Sequence, residues 1–340
     1  MPKFIKLIFL LLCTVSAAQI LNATAQSVTW KVQSNKPATG KLFSFEQHLA
    51  QDIAHRTQQR LIFDVKSDNG HVGVREAFNA LRLGKIDAMF MSPQYWGGAD
   101  PVFPIMGDLV AAWDSPEQYF HWLNDEGGIK HLEAAYQRFG LKLIGYVVAP
   151  TESLVSKVPI ANIENIKGQV MRVPPGMISD FFQLLGARTR NITPPQIEQA
   201  MTRGKITIAD LSHLSMNNEI GLYQQAKHTN YPGFHSLPLY DFVVNQEAWD
   251  ALDLEQQNIV SDALLHWRVI TYKSTQQDIN ETLVSLREQG VTVHRWDKEE
   301  IKKARTIAIQ VWDKYATKSE HANALILELK RWLKTIGNID

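Results

Sequence analysis

Apolar positions along this chain switch repeatedly between the two-residue period of a strand and the three-to-four-residue period of a helix. Residues 28–33 read as a first strand. Residues 43–57 read as a helix, with Phe45, Leu49 and Ile53 along one face. Residues 61–66 form a second strand and Ser67-Asp68-Asn69-Gly70 a turn. A helix over 74–83, closed by Gly84, leads into a strand over 86–91. Strands alternating with helices predict a parallel α/β sheet. Helices over 115–123 and 128–139 follow, the first with Ser115 at the cap and Pro116 at the first position. Strands over 141–148 and 152–157 then carry the chain into its second half.

That half is organised around the stretch from Ile166 to Gly176. Residues 169–173 are short and β-rich, Pro174, Pro175 and Gly176 stop the strand, and a helix over 177–185 presents Phe181, Phe182 and Leu185. Arg172 therefore sits at a strand end just before a helix, where an open α/β sheet keeps its ligand crevice. A guanidinium there takes a carboxylate through two parallel hydrogen bonds, which Lys cannot. A surface ion pair is the other reading of the same position. An internal echo accompanies it. Residues 81–88 (LRLGKIDA) resemble 201–208 (MTRGKITI): a helix ends at Gly, Lys follows, and Ile opens a strand. Two similar lobes facing a shared cleft fit this spacing, as does chance likeness of two helix-to-strand turns.

Other candidates sit at strand ends. Tyr95 and Trp96 follow the third strand in a loop with Pro93, Gly97 and Gly98, placed either to wall a ligand or to pack on a neighbouring helix. Asp210 ends the strand over 206–211, where it can bind a cation, accept from a ligand hydroxyl, or cap a helix. Asp241 opens the strand over 241–245, or is an exposed turn residue. A helical run over 254–283, a short strand over 291–296, and helices over 299–315 and 322–336 complete the chain, the last two with basic, solvated faces.

Composition narrows the class. Lys3 and Lys6, an apolar run from Leu7 to Val15, and Ala23-Thr24-Ala25 make residues 1–25 a secretory signal peptide, with cleavage expected after Ala25. Cys13, the only cysteine, would leave with it, so the mature chain has no disulfide, thiolate metal site or cysteine nucleophile. Without the two signal lysines, 33 basic residues face 35 acidic ones, a formal charge of −2 that gives no basic surplus for nucleic acid. The sequence contains no P-loop, HExxH, GxSxG or GxGxxG, and its 11 His lack metal-ligand spacing.

The chain resembles the periplasmic solute-binding proteins of tripartite ATP-independent periplasmic (TRAP) transporters, and most closely the branch that binds 2-oxo acids and related monocarboxylates. The likeness rests on Ser92 to Pro101, on Lys167-Gly168 with Met171-Arg172-Val173-Pro174, on Gln199-Ala200 with Arg203-Gly204 and Ile206, and on Gly221-Leu222-Tyr223, Ala226-Lys227 and Tyr231-Pro232-Gly233-Phe234-His235. It implies an α/β, two-lobed periplasmic-binding-protein fold with a ligand cleft between the lobes and long C-terminal helices. Lobe I would span 26–150 with later segments returning to it, lobe II 151–250, and helices of 251–340 would bridge them.

The resemblance also implies a non-enzymatic role: capture of a small organic acid in the periplasm and delivery to membrane-embedded TRAP permease subunits. A periplasmic enzyme or a sensory module using the same cleft are the alternatives. By the same resemblance Arg172 pairs with the ligand carboxylate, Tyr95 and Trp96 shape the pocket, and Asp210 and Asp241 bind the ligand or a Na+ or Ca2+ ion. No cofactor is required, and the C-terminal helices could pair two chains. The sequence departs from the branch at Asp210-Leu211, where Glu-Trp is usual, at Asp241, where Glu is usual, and at Pro150-Thr151-Glu152, where a Gln is usual.

Overall fold

The computed structural model describes residues 27–340. The expected signal peptide and cleavage site, and Cys13, lie outside the described residues. Two sheets organise the rest. The first has five strands and the second six. In the first, β1 (Val28–Ser34) pairs in parallel with β2 (Leu61–Lys66) and β3 (Ala88–Met91). In the second, β6 (Val170–Arg172) pairs in parallel with β7 (Arg188–Arg190) and β8 (Ile208–His213). Each lobe is thus a β-α-β-α-β unit whose first strand lies centrally between the other two.

Each unit then receives an antiparallel strand from across the molecule. β10 (Leu239–Asn245) returns to lie between β3 and β4 (Leu141–Val148). β5 (Glu152–Ser156) lies between β8 and β9 (His228–Asn230), and β11 (Thr292–His294) pairs with β9. The sheets are therefore mixed rather than purely parallel. The antiparallel strands are those that follow a crossing between lobes, so they enter from the opposite end.

The echo between 81–88 and 201–208 has a common backbone cause. Gly84 and Gly204 adopt φ of 65° and 67°. The amides of Lys85 and Lys205 donate back to the carbonyls of Ala80 and Ala200 at 2.8 and 2.9 Å. Both are left-handed helix ends that turn the chain directly into a strand. One delivers β3, the other β8, each with its C-terminal end towards the cleft.

Helix Leu254–Glu288 is one 35-residue element that runs along both lobes. It packs on helix Lys41–Arg56 and β4 in the first lobe and on helix Leu214–Glu219 in the second. Asp253 caps its start by accepting from the Gln256 amide at 2.8 Å, with Gln256 bonding back to the Asp253 amide. Helix Lys298–Ala316 also ties the lobes together. Its Arg305 donates to the Ala111 and Asn338 carbonyls at 2.7 and 2.9 Å, and its Trp312 donates to the Val110 carbonyl at 2.9 Å. On its other side it packs against helix Met177–Leu184, where Lys314 pairs with Asp180 at 2.8 Å. No helix among the described residues is long and apolar enough to cross a membrane.

Candidate functional site

The C-terminal ends of β1, β3, β4 and β8 meet a cavity of about 560 Å³. Its wall draws Phe90, Tyr95 and Tyr240 from the first lobe, and Leu211, His213 and Met216 from the second. Trp267 and Thr271 of the long helix close one side. Aliphatic and aromatic walls with a few placed polar groups suit a small polar ligand.

Arg172 ends β6 and is only 7% exposed. It lies opposite Ala209 on β8, one residue before Asp210. Its Nε donates to the Ile192 carbonyl at 2.9 Å, and its Nη1 donates to the Asp210 carbonyl. A guanidinium has five N–H donors, so these two bonds fix its plane while Nη2 keeps both hydrogens. Burial lowers its pKa, and the carboxyls of Asp210 and Glu152 oppose that shift. Arg172 is a structured, buried cation rather than a solvated one.

Around it lies a cluster of acids. Asp210 is fully buried, with Oδ1 2.9 Å from His235 Nε2 and with Oδ2 unpartnered. Glu152, at the start of β5, accepts from Ser236 Oγ at 3.0 Å, and its pKa is pushed well up by burial and then by Asp210 and Asp108. Asp108 accepts from Ser236 Oγ at 2.7 Å and from the Leu237 amide at 2.9 Å, and burial raises its pKa to about 6. Ser236 has one hydroxyl proton, so it serves these two carboxyls alternately.

The Tyr231-to-His235 segment builds this corner. A Cβ on Gly233 would sit 1.7 Å from the Glu152 carbonyl oxygen, so only glycine permits the approach. The Gly233 amide donates to Thr151 Oγ1 at 3.1 Å. That contact locks the crossing segment and presents His235 to Asp210.

Tyr95 is 50% exposed because its ring edges the open cavity. Its hydroxyl end is nevertheless desolvated, which raises its pKa, with Glu152 adding to the shift and Arg172 opposing it. Trp96 turns the other way. It is buried, tilted against Phe78 at 5.3 Å, and is not part of the cavity wall. Asp241 is fully buried in the cavity wall. It accepts from the Tyr136 hydroxyl at 2.6 Å through Oδ2, while Oδ1 is unpartnered. Burial raises its pKa to about 8.

The structure therefore brings Arg172, Asp210 and Tyr95 within electrostatic reach of one another. Arg172, Asp210 and Glu152 sit beside the cavity, flanked by Pro150 and Leu211 of its wall, rather than in it. Among the described residues, the ligand atoms of Glu152, Asp210 and His235 lie within 4.8 Å of one another, which is metal-ligand spacing. Asp241 is not in that group. The sequence does not single out Glu152, Asp108 or His235, nor Lys36, which is buried in the cavity wall. Glu152 had a signal, as a departure from the usual residue, and His235 as the end of the Tyr231-to-His235 segment. Asp108 and Lys36 had none, because what sets them apart is burial.

Residues 32–319 match the family described as bacterial extracellular solute-binding protein, family 7. A monocarboxylate 2-oxoacid-binding periplasmic protein of Nostoc sp. is 22% identical over 328 residues, which cover 95% of this chain and 89% of that one. Among solved structures, a TRAP periplasmic solute-binding protein from Rhodobacter sphaeroides, in an apo open form, is 31% identical with a TM-score of 0.80, covering 92% of this chain and 99% of that one. One from Pseudoalteromonas atlantica with bound sodium and pyruvate has a TM-score of 0.79 at 19% identity, covering 92% of this chain and 95% of that one. The last likeness bears on the fold alone. The described residues form the two-lobed α/β architecture of these proteins, which bind solutes rather than transform them. The chain belongs to bacterial extracellular solute-binding protein family 7, the solute-binding proteins of TRAP transporters.

Proposed function

We propose that this protein captures a small organic acid, a 2-oxo acid or related carboxylate, and delivers it to a TRAP permease in the membrane. The observation that carries the reading is Arg172: a buried guanidinium at a strand end, with its plane fixed by two carbonyls and Nη2 uncommitted. Nη2 takes one ligand carboxylate oxygen, and a remaining Nη1 hydrogen takes the other. Tyr95 covers the ligand from the first lobe. Asp241 offers Oδ1 to a ligand hydroxyl or carbonyl; its raised pKa keeps it protonated and able to donate at neutral pH.

Ligand binding draws the lobes together about the crossing segments, because contacts from both lobes are complete only in the closed form. In that form Arg172, which flanks the cavity here, joins its wall. We extend the proposal to a cation: a structure that shares this fold carries bound sodium and pyruvate. The unpartnered Asp210 Oδ2 and the adjoining Glu152 carboxyl suit Na+ or Ca2+, which prefer oxygen ligands. Such an ion would neutralise the two acids and add a second electrostatic contact for the ligand.

The test is a thermal-shift screen of refolded, ligand-free protein against 2-oxo acids, 2-hydroxy acids, dicarboxylates, sugar acids and aromatic acids. Each is run with chelator, with sodium and with calcium. An acid at ~100 times its dissociation constant adds roughly 2.7 kcal/mol, so one acid class should raise the melting temperature plainly. A flat panel would remove carboxylate capture as the function.

A further inference from the structure

The first lobe carries a cation that the carboxylate anchor does not use. Lys36 follows β1 as Arg172 ends β6, and these are the central strands of the two β-α-β-α-β units. Lys36 is 9% exposed and lines the cavity. Its Nζ lies 3.1 Å from the centroid of the Tyr240 ring. Among the described residues its Nζ makes no hydrogen bond and no ion pair, and burial lowers its pKa to about 7, so a ligand carboxylate would draw it into the fully charged ammonium form, which has three donors.

The groups around it do not complete it. Glu46, on helix Lys41–Arg56, is buried in the same wall with Oε2 unpartnered, and burial raises its pKa to about 8. Glu152 of β5 is within electrostatic reach. His213, at the end of β8, is buried in the wall; burial and then Lys36 itself push its pKa down to about 4, so it is neutral and cannot compete as a cation. An ammonium taken out of water without hydrogen-bonded partners is costly. Such a group in a cavity wall awaits an acceptor from the ligand. Glu46, protonated at neutral pH, can donate to the same acceptor instead of repelling it.

We propose that Lys36 receives a second acidic group of the ligand, so that the physiological solute is a two-ended acid with one carboxylate on Arg172 and another on Lys36. This rests on the proposed carboxylate capture and narrows its substrate class. A cavity of about 560 Å³ leaves room for a chain longer than a three-carbon acid. A hydroxyl would satisfy Lys36 less well, since it brings no negative charge to set against the ammonium.

The experiment is isothermal titration of full-length mature protein with three 2-oxo acids of matched length: one ending in methyl, one in hydroxyl and one in carboxylate. They are titrated into wild type, Lys36→Met and Arg172→Ala. The expected result is that the carboxylate-ended acid binds at least about tenfold more tightly than the methyl-ended one, and that Lys36→Met erases this preference. The melting temperature of ligand-free Lys36→Met should equal or exceed wild type, because a desolvated charge has been removed; Lys36→Gln serves as a second variant if Met disturbs packing. Equal affinity for methyl and carboxylate ends, preference for the hydroxyl end, or an unchanged preference in Lys36→Met would each overturn the inference. If the methyl-ended acid binds and Arg172→Ala abolishes it, carboxylate capture survives that failure. If no acid binds, both readings fall.

Discussion

The two lobes share a scaffold and differ in how they treat buried charge. Each places its first strand between two parallel partners, ends a helix at a left-handed glycine, and borrows an antiparallel strand from across the cleft. In lobe II the strand ends converge on a wired network. Arg172 is tied to two carbonyls, Asp210 to His235, and Glu152 to Ser236. In lobe I the charged groups of the cavity wall stand apart. Lys36 rests on the Tyr240 ring, Glu46 keeps an empty oxygen, and Asp241 has only Tyr136. A network with a fixed guanidinium holds one geometry before ligand arrives, which suits an anchor. Isolated buried groups change charge or partner when ligand arrives, which suits discrimination between solutes. On the proposed reading, a scaffold repeated in both lobes carries an anchor in one and a discriminating surface in the other.

The sharpest way to break this contrast is to ask whether lobe I neutralises its acids with protons. The Asp241 carboxyl has an unfolded pKa near 3.9 and a folded one of about 8. Between those values the folded chain holds a proton that the unfolded chain has released, so this group lowers stability as pH rises from about 4 to about 8. Glu46 contributes in the same direction. Lys36, lowered to about 7, has the opposite sign and acts only above that pH. Asp241→Asn keeps an acceptor for the Tyr136 hydroxyl and removes the titration. Its stability relative to wild type, from urea unfolding, should rise between pH 4 and pH 8 by on the order of a few kcal/mol. Parallel profiles for the two proteins would mean that Asp241 is ionised in the folded state.

The shared scaffold gives a smaller, paired effect. Gly84 and Gly204 have positive φ, and a Cβ on either meets no atom within 4 Å. Substitution by Ala therefore costs conformational strain alone, roughly 1 kcal/mol at each site. Similar losses in chemical denaturation would show the two turns to be equivalent. A loss at one site only would make the echo a coincidence of sequence.

Much of the scaffold was legible in the sequence, because it rests on local signals. Periodicity located β2 and β4 to the residue, and Ser115 does cap its helix, accepting from the Gln118 amide at 3.4 Å. The Gly84 and Gly204 turns could be read from their Gly-Lys-x pattern. Short elements held by tertiary contact were not. β7 and β9 have three residues each, too few to show a period, and helix Leu214–Glu219 follows β8 without a break. The setting of Arg172 was legible, because strand, stop and helix are local signals, and the structure places it buried at the end of β6. It was less so at Trp96, since adjacent residues in a loop can face opposite ways and only packing against Phe78 decides. Lys36 and Asp108 were invisible because nothing in their neighbourhoods announces burial. His235 could be quoted with its segment, but its bond to Asp210 joins residues 25 positions apart.

The most direct test of the central claim is calorimetric titration of the acid class found by thermal shift into wild type and Arg172→Ala, with circular dichroism of both. The expected result is a loss of at least ~100-fold in affinity, from removal of a charge-assisted bidentate contact, with the fold retained. Wild-type affinity in a folded Arg172→Ala variant would contradict it, and the carboxylate anchor would then have to lie elsewhere in the cleft.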